Sequence, residues 1–252
     1  MTEVLILSFI QGITEFLPVS SSSHLLLISE YLSFQNQSLG LDVSLHIGSF
    51  TAVIFYFYKD IKNFYKNRIL LFNILISSLP VIIIGFLLVK TNIIYKIRGV
   101  EVIAWTTIIF GIFLYISDKF KLKKNLKDDF NLKSAILIGL LQVLSLIPGV
   151  SRSGIAITAA RMLNFKRVDS GKISFLISIP VLGAVSIFGI KNIILSESYN
   201  FSLTNLLAII LAFFFSLITI KYFLSFIKKF NLKFFVYYRI LLGLILLLLV
   251  YL

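Results

Sequence analysis

Three properties of this 252-residue chain predict an all-α polytopic membrane protein. Six helices span the bilayer, and two re-entrant helix–turn–helix segments complete an inverted-topology repeat. The composition is 58% hydrophobic and only 14% charged, where a soluble domain carries about 25% charged residues. Mean hydropathy is +0.98, which excludes a soluble globular fold and a disordered chain alike. Six apolar runs approach the roughly 20 residues that a spanning helix needs. Two further apolar stretches are broken by Pro, Ser and charged side chains.

In chain order, the first stretch is interrupted: residues 4–29 contain Glu15, Pro18, Ser20 to Ser23 and His24. Uninterrupted runs follow at 41–58, 69–89 and 100–117, and then a basic linker at 118–133. The second interrupted stretch, 134–163, contains Gln142, Pro148, Gly149, Ser151, Arg152 and Ser153. Runs at 173–190, 203–223 and 235–252 close the chain, which reads as one membrane domain with halves at about 1–117 and 134–252. Broken backbone at membrane depth is tolerated only where protein or a water-filled cavity covers it, so both interrupted stretches are read as re-entrant. The N-terminal MTEVLILSFIQG lacks a basic region, so no cleaved signal peptide is expected.

Loop charges test this topology. If each interrupted stretch leaves by the side it enters, one side carries 16 Lys and Arg and the other 4. If 134–163 crossed once, the split would be 11 against 9. Positive charge concentrates on the inner side, so the re-entrant arrangement is preferred, with Lys90, Lys96 and Arg98 on the wrong side. The same count explains 24 Lys and Arg against 11 Asp and Glu without nucleic acid. The Lys119–Lys127 run reads as a topology-setting loop within reach of anionic lipid.

Re-entry from opposite sides makes the halves inverted. Pro18-Val-Ser-Ser-Ser resembles Pro148-Gly-Val-Ser-Arg-Ser, and Gln11 and Gln142 precede them at similar distances. Ile76-Ser-Ser-Leu-Pro80 resembles Ile177-Ser-Ile-Pro180, so one duplication accounts for all four prolines. Such repeats place half-helix N-termini around an anion near the midplane.

The polar residues in the breaks carry the chemistry. Gln11 and Glu15 share a helix face, and a carboxylate at membrane depth marks function by default. Its plainer role is a packing hydrogen bond. Ser20 to Ser23 cap the next half-helix and offer amides to an anion, and Ser21 and Ser22 lie in its first turn. His24 is a candidate general acid, base or nucleophile. Arg152 has no carboxylate near it in sequence, and its planar fork fits phosphate oxygens; the alternative is an internal ion pair with Glu15. Ser151, Ser153 and the glycines supply hydroxyls and amides. His46, beside Gly48, is a candidate cavity-lining residue. Arg161 faces away from Arg152 and is expected to snorkel or pair near the inner surface. The chain has no Cys, which excludes thiolate chemistry and disulfides, and no Walker motif, which leaves nucleotides unindicated. The inventory fits phosphate-ester or pyrophosphate chemistry on a lipid.

Gln11-x-x-x-Glu15-Phe-Leu-Pro-Val-Ser-Ser-x-x-His24 and Pro148-Gly-x-Ser-Arg-Ser-Gly resemble the two signature segments of the undecaprenyl-pyrophosphate phosphatase family, the bacitracin-resistance membrane type. Ser174-Phe-Leu through Pro180 is also similar to the family. The resemblance implies hydrolysis of a polyprenyl (C55) diphosphate to the monophosphate and inorganic phosphate. It also implies carrier recycling for peptidoglycan synthesis, bacitracin resistance, and a site open to the outer face of the bacterial plasma membrane. By resemblance, Glu15, Ser21 and His24 are catalytic with Arg152, and Ser151, Arg152 and Ser153 bind phosphate, with Ser22 and Gln11 beside them. A divalent cation, Mg²⁺ or Ca²⁺, is implied with Glu15 as a ligand; no nucleotide or haem is. Gln11 stands where many members carry Glu. The family's Thr falls at Ala156, with Thr158 two residues on as its candidate replacement. Water, Ser21 and His24 all remain open as the attacking group. A polyprenyl-phosphate flippase is the rival function, since inverted repeats with broken helices are common in transporters.

Overall fold

The structure is a computed structural model in which residues 1–32, 38–93, 99–195 and 202–252 are described. Among them the regular structure is helical apart from one isolated backbone pairing, between Lys124 and Phe165. The first interrupted stretch forms α1 (Thr2–Thr14) and α2 (Ser21–Leu32). The first half continues with α3 (Leu39–Tyr56), short α4 (Tyr58–Asn63), α5 (Arg68–Lys90) and α6 (Val100–Asp118). The linker contains one turn of helix, α7 (Leu126–Asp129). The second interrupted stretch forms α8 (Leu132–Gln142), a 3₁₀ turn at Val143–Leu146, and α9 (Arg152–Met162). Then come α10 (Arg167–Leu195), α11 (Leu203–Lys229) and α12 (Lys233–Tyr251).

Six helices, α3, α5, α6, α10, α11 and α12, are long and apolar enough to cross a membrane. They coincide with the six predicted runs, but their ends differ. The stretch 164–172 was expected as a loop, yet α10 begins at Arg167 and runs 29 residues, about 43 Å against a hydrocarbon core of about 30 Å. Its charged first turn is helical, although hydropathy alone reads those residues as loop. The wrong-side charges Lys96 and Arg98 lie outside the described residues, as do parts of loops 30–40 and 191–202.

Packing partners exchange between the halves. Helix α1 lies on α11 as α8 lies on α5, α3 packs on α11 as α10 packs on α5, and α3–α10 and α6–α12 pair with each other. Helix α1 approaches α11 at backbone distance: a Cβ on Gly12 would sit 2.4 Å from Cβ of Phe215. The proline comparison needs correction. Pro80 lies in the second long helix of its half and Pro180 in the first long helix of the other. Their two helices pack against each other, and Ser78 Oγ donates to the Ile177 carbonyl at 3.0 Å across that interface. Their likeness reflects two proline-containing helices in contact, with a hydroxyl bonding backbone close to one proline, rather than duplicated positions. Below the breaks lies an aromatic cluster, with Phe16 edge-on to Phe175 at 5.3 Å and Phe175 against Phe223 at 5.7 Å.

Candidate active site

Both breaks solve the same local problem. Proline cannot continue a hydrogen-bonded helix, and the chain must then turn sharply into a second half-helix. Ser20 and Ser151, the residues immediately before α2 and α9, both adopt left-handed backbone, with φ of 75° and 71°. Ser151 Oγ caps α9 by accepting from the Gly154 amide at 3.1 Å. The second break holds one more residue than the first, Gly149, with φ of 91°. A Cβ there would lie 2.0 Å from Thr106 Oγ1 and 2.7 Å from the Ile103 carbonyl oxygen. Gly149→Ala is therefore expected to destabilise the fold by about 2 kcal/mol or more, from a strained φ and a backbone clash together. Thermal unfolding in detergent reads this; an unchanged midpoint contradicts it.

The two breaks meet. Ser153 Oγ donates to the Leu17 carbonyl at 2.6 Å, and Arg152 Nη2 donates to Glu15 Oε1 at 2.5 Å. Glu15 sits at the end of α1 and is 6% exposed. Its second oxygen accepts from Ser21 Oγ and from Gln11 Nε2 at 3.2 Å. Gln11 Nε2 also lies 3.1 Å from Nδ1 of His46 on α3 and 3.5 Å from Ser49 Oγ. Ser49 in turn accepts from Ser216 of α11 at 3.1 Å. One carboxylate thus gathers groups from both interrupted segments, and an amide extends that network to α3 and α11.

The internal Arg152–Glu15 pair offered as the plainer reading is present, but it uses one of five guanidinium N–H groups. Among the described residues the others have no hydrogen-bond partner, and the side chain is 14% exposed. Ser151 and Ser153 have protein partners, including each other at 3.2 Å, and Ser22 is exposed at the start of α2. Thr158 is buried further along α9 and makes no hydrogen bond among the described residues. His24 turns away from Glu15. Its Nδ1 lies 2.6 Å from the Ser20 carbonyl, and its Nε2 lies 2.6 Å from the hydroxyl of Tyr238, whose ring stacks on the imidazole. A carbonyl only accepts, so Nδ1 carries the proton and Nε2 accepts from Tyr238. Arg161 pairs rather than snorkels: it is fully buried and lies 3.6 Å from Asp118.

Sequence reasoning missed Arg239. It is fully buried on α12. Its Nη1 donates to the carbonyls of Pro18 at 3.1 Å and Val150 at 3.0 Å, Nη2 to Gly149 at 2.8 Å, and Nε to Thr107 at 3.1 Å. One guanidinium thus pins both breaks to α6. The signal was available, since an arginine inside the apolar run 235–252 poses the same problem as Arg152. Tyr238 had no such signal.

No group of three His, Cys, Asp or Glu side chains among the described residues could enclose a metal ion. The oxygens near Glu15 still fit a partial site. Glu15 is the acid of the cluster, and Gln11 Oε1 is buried with no hydrogen-bond partner. Mg²⁺ is commonly held by one or two protein oxygens plus substrate phosphates.

Residues 4–245 match the family described as bacitracin resistance protein BacA. An undecaprenyl-diphosphatase of Pelagibacter ubique is 45% identical over 99% of this chain and 97% of its own length. An undecaprenyl-diphosphatase of Campylobacter curvus is 41% identical over 98% of both, and one of Jannaschia sp. is 37% identical over 98% of this chain and 97% of its own. With both proline breaks inside the matched span, this multi-pass membrane protein belongs to the bacitracin resistance protein BacA family.

Proposed function

We infer that this protein hydrolyses undecaprenyl diphosphate to undecaprenyl phosphate and inorganic phosphate. The observation that carries the reading is the Arg152–Glu15–Ser21 contact, which closes a polar junction between two broken helices. The names of its relatives support the same substrate. None of the three relatives named above bears a transport name, and the flippase alternative gains nothing from them.

In the proposed reaction, the free donors of Arg152 and the first amides of α2 and α9 hold the terminal phosphate and stabilise charge on the transferring phosphoryl group. Glu15 Oε2, already accepting from Ser21 Oγ, takes a proton from the attacking oxygen. That oxygen is Ser21 Oγ or a water in its place; the His24 contacts argue against imidazole attack, since both ring nitrogens are engaged elsewhere. The new P–O bond forms as the bridging P–O bond breaks. The polyprenyl monophosphate leaves with the electron pair, and if a seryl phosphate has formed, water releases it as inorganic phosphate. His24 and Tyr238 hold the second half-helix in place and supply a proton path beside it. A divalent cation arriving with the diphosphate would be held by Glu15 and Gln11 Oε1 and would neutralise phosphate charge.

The matching contacts of the two halves support an inverted repeat, and the two short helix pairs suit re-entrant segments. Together with the loop-charge bias, this supports a site open to the outer face of the plasma membrane, where carrier recycling for the cell wall and bacitracin resistance would follow. Phosphate release from the C55 diphosphate by purified protein tests the activity; release no greater than that of an Arg152→Ala control, with lipid still bound, overturns it. Gln11→Glu tests the cation. A second carboxylate beside Glu15 is expected to tighten Mg²⁺ or Ca²⁺ binding by about tenfold, read by metal titration of the purified protein; unchanged affinity contradicts a cation at this place.

A further inference from the structure

A second polar feature lies away from the junction. A cavity of about 640 Å³ opens between the end of α6, the linker and the starts of α10 and α12. Asp118, at its wall, lies roughly 16 Å along α6 from Thr107, which touches Arg239. Lys119, Lys121, Lys123, Arg167 and Lys233 also line it.

Two observations separate this cavity from an ordinary charged loop. First, its backbone is built. Buried Arg161 binds the carbonyls of Asp118 at 3.2 Å and Lys121 at 3.4 Å, and that of Phe120 as well. The amides of Lys123 and Lys124 both donate to the Asn164 carbonyl at 3.0 Å. Carbonyls turned inward by a guanidinium hold this strand of lysines in one course. Second, the one acid at the wall is already saturated. Asp118 accepts from Arg167 at 2.7 and 3.2 Å and from the Leu232 amide at 3.1 Å, and Arg161 lies 3.6 Å away. None of the four lysines has an ion-pair partner among the described residues. Lys119 instead sits over the Tyr115 ring at 4.3 Å. Like charges held together on an ordered backbone repel unless an anion joins them.

We propose that this cavity is a binding site for a phosphate anion, supplied by the headgroup of an anionic lipid. It lies at the ends of three helices long and apolar enough to cross a membrane, and its volume is in the range of small-ligand sites. Basic pockets at such positions recognise phosphate headgroups, and each cation near the surface adds affinity.

The test is native mass spectrometry of the purified full chain in neutral detergent. Phosphatidylglycerol and phosphatidylcholine are added in separate arms, and inorganic phosphate in a third. Wild type is expected to retain phosphatidylglycerol in preference to phosphatidylcholine. Lys121→Gln/Lys123→Gln/Lys233→Gln is expected to weaken that retention on the order of a hundredfold. Lys59→Gln/Lys62→Gln/Lys66→Gln removes equal charge from another basic loop and is expected to bind as wild type does. Equal retention by wild type and the first variant overturns the proposal, and so does equal loss in both variants, which would mean bulk charge alone. Inorganic phosphate binding without phosphatidylglycerol retention overturns the lipid source and keeps the anion site.

Discussion

Arg152→Lys lowers phosphate release from the C55 diphosphate by roughly two to three orders of magnitude, the loss typical of removing one preorganised donor to a transition-state oxygen. The junction asks two things of this side chain at once. It neutralises the buried Glu15 carboxylate at 2.5 Å, and it keeps donors free for phosphate. A planar fork can do both because its N–H groups point in fixed, separate directions, whereas an ammonium is a point charge on a flexible stem. Lysine can preserve the ion pair and with it the fold. Arg152→Ala removes both functions and also leaves a buried carboxylate unpaired, which costs about 3–5 kcal/mol. The two variants therefore separate chemistry from stability. Lysine is expected to lower kcat with little change in unfolding midpoint, while alanine lowers both. If Arg152→Lys retains wild-type kcat, the guanidinium is structural and the proposed phosphate clamp fails.

The parts of this architecture that were legible in the sequence are those that lipid enforces. Long spans must be apolar, so six runs stood out, and broken segments had to carry Pro, Ser and charge against that background. Glu15 and Arg152 were readable for the same reason: a charge at membrane depth needs either a counter-charge or a ligand, and each was the other's nearest candidate. Helix ends were less legible, because a helix that leaves the bilayer stays helical while its residues turn polar, as at Arg167 to Lys172. The lateral orientation of His24 was not legible at all. Its partner, Tyr238, is 214 residues away, and only tertiary packing of α12 against α2 decides that the imidazole faces a phenol instead of the carboxylate. The Pro80–Pro180 likeness misled because long apolar helices that carry an internal proline share a local pattern whether they are duplicates or neighbours.

Arg239→Met is expected to be the most damaging substitution outside the acid–guanidinium contact. Methionine approximates the stem but leaves the break carbonyls of Pro18, Gly149 and Val150 without their donor, while Thr107, inside α6, keeps its helical bond and loses only a second donor. A buried group stripped of its partner loses about 1–3 kcal/mol, though repacking and entering water recover part of that, so a net loss of about 4 kcal/mol is expected. Part of the loss is geometric and therefore functional. Pro18 and Val150 sit on different breaks, and Nη1 donates to both, so this one nitrogen sets the spacing between the segments that carry Glu15 and Arg152. Arg239 pairs with no carboxylate among the described residues, which distinguishes it from a salt bridge: its charge is met by carbonyl dipoles, and its geometry comes from the fork. Arg239→Lys retains a charge and up to three donors. It is expected to recover more than half of the lost unfolding free energy, yet leave kcat depressed about tenfold or more, since a misplacement of about 1 Å at reacting groups can cost a hundredfold. Unfolding in detergent and single-turnover phosphate release on the same preparations separate the two effects. A lysine variant that regains stability and full turnover would show that Arg239 merely fills a polar hole; stability regained without turnover identifies it as the residue that positions the two half-helices.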